Sequence, residues 1–222
     1  MSLAPGPGPT RVYPPSLLLF SAFYGGMVTI AGVLGAKQVA LGPLAVEAGI
    51  FPFLILISVA SGVAELHGKA VADRLARFGF APLVAAIVLS FLVLRLPTDP
   101  GMYEPAKAAF PIILGQSWRM MAAGILAYGV SLTLNIWIFA RLRSDGGVLA
   151  PLRGFVAAAC SQVVDTLIFI TVSFYGVRPI GALMAGQMIA KLVLSAILVP
   201  IVIWIVVRIG RQLDSVARDA RG

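Results

Sequence analysis

The chain has 222 residues, of which 59% are hydrophobic and 12% charged, with a mean hydropathy of +0.98 and a formal net charge of +8. This balance excludes a soluble globular domain and defines a polytopic membrane protein. The basic excess is accounted for by membrane topology and contact with anionic headgroups, so nucleic acid is not needed as a partner.

Residues 1–15, MSLAPGPGPTRVYPP, lack the charged start, short apolar core and small-residue cleavage site of a secretory signal, and are predicted to be a disordered tail. Six apolar runs follow, at roughly 16–36, 48–64, 78–94, 120–140, 154–177 and 179–207. Each approaches or exceeds the ~17–25 residues needed to cross the hydrocarbon. They lack the alternation of barrel strands, and helices are then the remaining way to satisfy the backbone in lipid. The expected fold is an all-α membrane protein with six transmembrane helices in one domain over 16–210, followed by a basic tail over 211–222. Charges bracket the runs: Glu47 and Glu65 the second, Arg77 and Arg95 the third, Arg119 and Arg141 the fourth. The segment 97–117 contains Pro97, Pro100, Pro105 and Pro111 and is predicted to be an external loop with a short interfacial helix around 103–109. Gly25, Gly26, Gly32 and Gly35, with the pairs Gly181/Ala185 and Ala182/Gly186, are expected at close helix contacts.

With the amino terminus inside, eleven basic residues fall on the cytoplasmic side (Arg11, Lys69, Arg74, Arg77, Arg141, Arg143, Arg153, Arg208, Arg211, Arg218, Arg221) and five outside (Lys37, Arg95, Lys107, Arg119, Arg178). The asymmetry predicts that both termini are cytoplasmic. No GxxxxGK[ST] loop is present to hold nucleotide phosphates. His67 is the only histidine, which leaves no HExxH metal motif and disfavours Ser-His hydrolysis; in ELHGK it reads as a solvated loop residue. Cys160 stands alone, so no intrachain disulfide forms. No cofactor is expected.

The seventeenth basic residue, Lys191, lies within the sixth run, and Asp165 is the lone charge of the fifth. Charges inside membrane spans are costly, so they mark interior working sites. Asp165 lies 13 residues before Arg178 and Lys191 lies 13 after it, which sets both about 20 Å from the boundary, at about 1.5 Å per residue. Antiparallel helices would bring them level near the membrane centre, as an ion pair or as groups that bind a polar solute or a proton. Gln162 is three residues from Asp165, Gln187 is four from Lys191, and Tyr128, Ser131 and Asn135 form an i, i+3, i+7 stripe on the fourth helix. Ser131 is expected to bond within its own helix, whereas the two glutamines are expected to ligate. Glu65 is either a solvated boundary residue or a functional carboxylate, and Arg119 either a boundary charge or a guide for an entering solute.

The strings AGVLGAKQVALGPLAVEAGIFPF, AELHGKAVADRLARFGF, RMMAAGILAYGVSLTLNIWIFARLR, PLRGFVAAACSQVVDTLIFITVSFYG and GQMIAKLVLSAILVP occur in this order. Together they resemble the queuosine precursor transporters, also called the vitamin uptake transporter family, with SQxxDTxIF the most specific motif. The resemblance implies six-helix inner-membrane importers of 7-cyano- or 7-aminomethyl-7-deazaguanine, and places Glu65, Arg119, Ser161, Gln162, Asp165, Gln187 and Lys191 at family positions. The chain departs from the family's common residues at Ser61, Leu132, Asn135 and Gly154-Phe155.

A deazaguanine edge offers adjacent N–H donors to a carboxylate, a carbonyl to Lys or Gln, and a flat face to an aromatic ring. The expected roles are Asp165 on the donor edge, Gln162 and Gln187 for orientation, Lys191 for the carbonyl or charge balance, and Tyr128 or Phe169 for stacking. Asn135, Glu65 and Arg119 complete the candidate substrate set. The expected function is import of a small deazapurine, queuine among the candidates, by alternating access around a midplane site, with membrane lipids as partners and a homo-oligomer admitted. The alternatives are a substrate-binding subunit of an ATP-driven complex, discriminated by uptake without ATP, and a membrane enzyme or assembly factor. Two midplane charges weigh against a passive scaffold, and the lack of a nucleophile–base pair weighs against an enzyme.

Overall fold

The computed structural model describes residues 13–42, 44–115, 118–142, 150–176 and 180–219. Helix α1 (Pro15–Leu34) leads into a hairpin of β1 (Gln38–Leu41) and β2 (Leu44–Glu47), then α2 (Ile50–His67), α3 (Lys69–Phe78) and α4 (Phe80–Leu94). After these come α5 (Glu104–Leu114), α6 (Trp118–Arg141), α7 (Ala150–Phe174) and α8 (Gly181–Asp219). Among the described residues, six stretches are long and apolar enough to cross a membrane, with α3 and α4 together forming the third. The expected all-α, six-span fold is therefore present.

Helix α2 is the hub, packing on α1, α6, α7 and α8. Its sequence explains this. Leu54, Leu56, Ile57 and Val59 are interleaved with Ser58, Ala60, Ser61, Gly62 and Ala64, all of them buried, and the small residues let neighbouring backbones approach. Helix α4, FAPLVAAIVLSFLVL, is apolar all round and has no buried residue, so it presents its surface to lipid at the rim.

The closest approaches of helices use glycines other than those expected. A Cβ on Gly62 of α2 would collide with Val206 of α8, and one on Gly154 of α7 with Ile203 of α8. By contrast, Gly26, Gly32, Gly181 and Gly186 have open space where a Cβ would stand. Hydropathy cannot tell which glycine faces a partner.

The hairpin was not anticipated. Gln38 pairs with Glu47 and Leu41 with Leu44 in antiparallel register, and Gly42 supplies the turn with φ +60°, a conformation side-chain-bearing residues rarely take. The hairpin packs on α8 and caps one face of the bundle, called here the hairpin face. The start of α1 and the end of α8 lie at the other, terminal face.

One expectation is corrected: His67 is not a solvated loop residue, since it ends α2, is 11% exposed and has its Nε2 2.8 Å from Ser16 Oγ. Two helical extents go beyond the apolar runs: residues 69–78 form α3, with Lys69 bonded to Asp73 one turn on, and α8 continues past 207 to Asp219. The interfacial helix is present, running from Glu104 to Leu114. The tail over 1–12 and the boundary residue Arg178 lie outside the described residues.

Candidate functional site

Three helices each bring one polar side chain to the same depth. Asp165 stands nine residues from the hairpin-face end of α7, Lys191 ten from that of α8, and Tyr128 ten from that of α6. At ~1.5 Å per residue these depths are about 14–15 Å, half of the ~30 Å hydrocarbon thickness. Lys191 Nζ donates to Asp165 Oδ2 at 2.8 Å, and Ser131 Oγ of α6 lies 3.2 Å from Asp165 Oδ1. The Ser131 hydroxyl also lies 3.3 Å from the Tyr128 carbonyl, so one proton is shared between two long contacts. The expected bond of Ser131 within its own helix is present, and the hydroxyl also holds the carboxylate.

Above this group is a cavity of about 220 Å³. Asp165, Lys191, Tyr128 and Phe169 lie at its depth, and its walls run towards the hairpin face along Val28–Gly35 of α1, Ser90 of α4, Met120 and Gly124 of α6, and Glu47 at the end of the hairpin. The lining is mostly apolar with a few convergent polar groups, the usual character of a small-molecule site. Each carboxylate oxygen of Asp165 retains acceptor capacity and Lys191 retains two N–H donors, so the pair has hydrogen bonds left to offer.

At the depth of the pair and below it the interior is closed in layers. The hydroxyls of Tyr24 and Tyr128 meet at 2.6 Å, with Phe53 and Phe80 edge-on to Tyr128 at centroid distances of 6.1 and 5.1 Å. Below them Ser61 donates to Asn135 Oδ1 at 3.2 Å. Lower still, Arg153 Nη2 donates to Glu65 Oε2 at 2.5 Å, and its guanidinium lies over the Phe139 ring, 4.9 Å from the centroid. At the terminal face Ser16 joins α1, α2 and α8, with its hydroxyl 2.8 Å from both His67 Nε2 and Asp214 Oδ2 and its N–H donating to Asp214 Oδ1 at 3.1 Å. The imidazole does not lie between serine and carboxylate, so the trio is wired as a clasp rather than a hydrolytic triad.

Of the nine residues expected in one site, the structure brings four to the cavity: Asp165, Lys191, Tyr128 and Phe169. Asn135 is buried against Ser61 instead, and Glu65 pairs with Arg153 some 12 residues along α7 from Asp165. Gln162 is 1% exposed and off the cavity lining, as is Gln187, buried one turn towards the hairpin face from Lys191. The side chain of Arg119 lies outside the described residues. Sequence reasoning missed Tyr24, Arg153 and Asp214. Tyr24 sits inside an apolar run, and the other two read as ordinary boundary charges.

Six membrane-crossing stretches around a midplane ion pair at the inner end of a cavity make a multi-pass membrane protein built to hold a small solute. Residues 47–205 match the family described as "Putative vitamin uptake transporter". This is more than half of the chain, which belongs to that family and is a transporter-family protein of a bacterial inner membrane. The chain is also similar to the "Probable queuosine precursor transporter" of Bacillus subtilis (strain 168), with 29% identity over 117 residues, 52% of this chain and 50% of that protein. That match spans about half the length of the relative. No solved structure matches the chain.

Proposed function

We propose that the protein imports a queuosine precursor, a 7-substituted 7-deazaguanine, by alternating access around the Asp165–Lys191 pair. The observation that carries this reading is that both groups line the cavity at mid-depth while already fixed by each other and by Ser131. A preset carboxylate beside a preset ammonium complements adjacent N–H donors next to a carbonyl, the pattern of a guanine-like edge. Phe169, one turn from Asp165 on the cavity wall, supplies a flat face for the bicyclic ring. With both termini cytoplasmic, as the basic residues predict, the cavity opens outward and the tyrosine, amide and Glu65–Arg153 layers close the inner side.

Radiolabelled 7-cyano- and 7-aminomethyl-7-deazaguanine, with queuine alongside, should enter cells that lack their own synthesis and uptake routes only when this chain is expressed. Purified protein in liposomes should move the same compound without ATP. Saturable uptake that needs an added ATPase would identify a binding subunit instead, and no uptake of any deazaguanine would overturn the reading.

A further inference from the structure

One to two turns below the ion pair, on the terminal-face side, three helices each carry a buried polar side chain with an atom that finds no hydrogen-bond partner among the described residues. Gln162 of α7 is three residues from Asp165, and neither its Nε2 nor its Oε1 is satisfied. Asn135 of α6 is four residues beyond Ser131, with its Oδ1 taken by Ser61 and its Nδ2 unused. Ser195 of α8 is four residues beyond Lys191, and its hydroxyl is unused. Counted from the hairpin-face ends of their helices, Gln162, Ser195 and Asn135 stand 12, 14 and 17 residues deep, about 18, 21 and 25 Å at ~1.5 Å per residue, so the three occupy the one to two turns below the pair. All are at most 1% exposed and none lines the cavity.

Most buried polar side-chain atoms in folded proteins have a partner, and a buried amide with neither end satisfied is costly. Three such groups from three helices, all within about two turns below the pair, have hydrogen bonds to offer a polar solute. The three also lie between the Asp165–Lys191 pair and the Glu65–Arg153 pair, on the line a solute would follow from the cavity to the terminal face.

From this juxtaposition we infer a second, inner subsite formed by Gln162, Asn135 and Ser195, which a solute meets when the bundle opens to the terminal face. Its chemistry is two amides and a hydroxyl without charge, so it takes a neutral edge that both donates and accepts hydrogen bonds. That fits the lactam and amino edge of a deazaguanine after it leaves the charged pair. The inference rests on the transport reading, and it divides the work: the ion pair captures from one side, and the inner subsite hands the solute on.

Two measurements test it on the full chain. In the first, Gln162→Leu keeps the bulk and removes the amide; it should melt no lower than the parent in detergent, while uptake of 7-aminomethyl-7-deazaguanine into liposomes falls about tenfold or more. Unchanged uptake overturns the subsite. In the second, Gln162→Cys in a Cys160→Ala background is exposed to a membrane-impermeant thiol reagent from either side. Reaction from the terminal face, with Phe169→Cys reacting from the hairpin face, supports an inner station. No reaction at 162 from either face, while 169 reacts, overturns it. Reaction at 162 from the terminal face in a protein that neither binds nor moves any deazaguanine would support the subsite and sink the substrate assignment instead.

Discussion

Two buried ion pairs on one helix show how the same chemistry serves different ends. Asp165 and Arg153 both project from α7, 12 residues apart, and each meets an opposite charge from a neighbouring helix. Asp165–Lys191 lines a cavity and keeps unused donors and acceptors facing it. Glu65–Arg153 lies off the cavity; the Arg153 side chain, 6% exposed, lies under Phe139 and bonds α7 to the end of α2, where Glu65 is 18% exposed. A pair that opens onto space is equipped to exchange partners, whereas a pair enclosed by protein acts as a bolt. This contrast predicts different responses to the same substitution.

The largest effect should come from opening the enclosed pair. Glu65→Leu leaves Arg153 charged, buried and without its carboxylate, a loss of about 3–5 kcal/mol in stability. Glu65→Leu with Arg153→Leu should recover much of it, because no orphan charge remains. Thermal melting of the singles and the double measures the coupling, and equal, additive shifts would show that the contact is not a bolt. Ligand affinity of whichever variants remain folded should stay within about twofold of the parent, since neither residue lines the cavity.

The cavity pair should respond more mildly in stability. Lys191→Ala strands Asp165, but water in the cavity can reach the carboxylate, so the cost falls towards about 1–3 kcal/mol. Removing both charges should again cost less than the single change. A Lys191→Ala protein that melts as low as Glu65→Leu would erase the distinction between the two environments.

For binding the order reverses. Asp165→Asn keeps the shape but turns one acceptor oxygen into a donor group, which then faces the N–H groups of a deazaguanine. Losing one charge-assisted hydrogen bond is worth about 1.5–3 kcal/mol, roughly ten- to a hundred-fold in affinity. Calorimetry on detergent-purified protein reads this directly. Parent-like affinity in a normally melting Asp165→Asn protein would move recognition away from the carboxylate.

The two pairs also differ in how visible they are in the amino-acid sequence. Asp165 and Lys191 stand alone in long apolar runs at equal distance from Arg178, so depth alone places them level, and the structure joins them at 2.8 Å. Glu65 and Arg153 sit at the ends of their spans, where a charge is ordinary, and 88 positions separate them. Nothing local marks the partnership. Ser16, His67 and Asp214 escape detection for the same reason. Hydropathy finds the six spans because burial in lipid demands ~17–25 apolar residues, but it is blind to helix that leaves the membrane. That accounts for the turns of α8 beyond 207, while the charges of α3 hide it from hydropathy although it belongs to the third span. Helical spacing grouped Gln162, Asn135 and Asp165, which stand 12, 17 and nine residues from the hairpin-face ends of their helices. It could not resolve which of them faces the cavity, because that depends on how α6, α7 and α8 are rotated against one another.

The smallest expected effect belongs to Ser131, and it isolates the orientation of the cavity carboxylate from its charge. Ser131→Ala removes one neutral donor from Asp165 Oδ1 while Lys191 keeps hold of Oδ2. Such a hydrogen bond is worth about 0.5–1.5 kcal/mol, and cavity water can replace part of it. Alanine is also the better helix former by a few tenths of a kcal/mol, so melting should barely move. The carboxylate, held at one oxygen instead of two, is free to turn, and affinity for the deazaguanine should fall roughly two- to tenfold. Capture is thus weakened without any change of charge at the pair. Calorimetry and melting on the same preparation separate the outcomes: unchanged affinity would mean that Lys191 alone sets the carboxylate, and a large drop in melting temperature would mean that Ser131 belongs with the bolts rather than with the site.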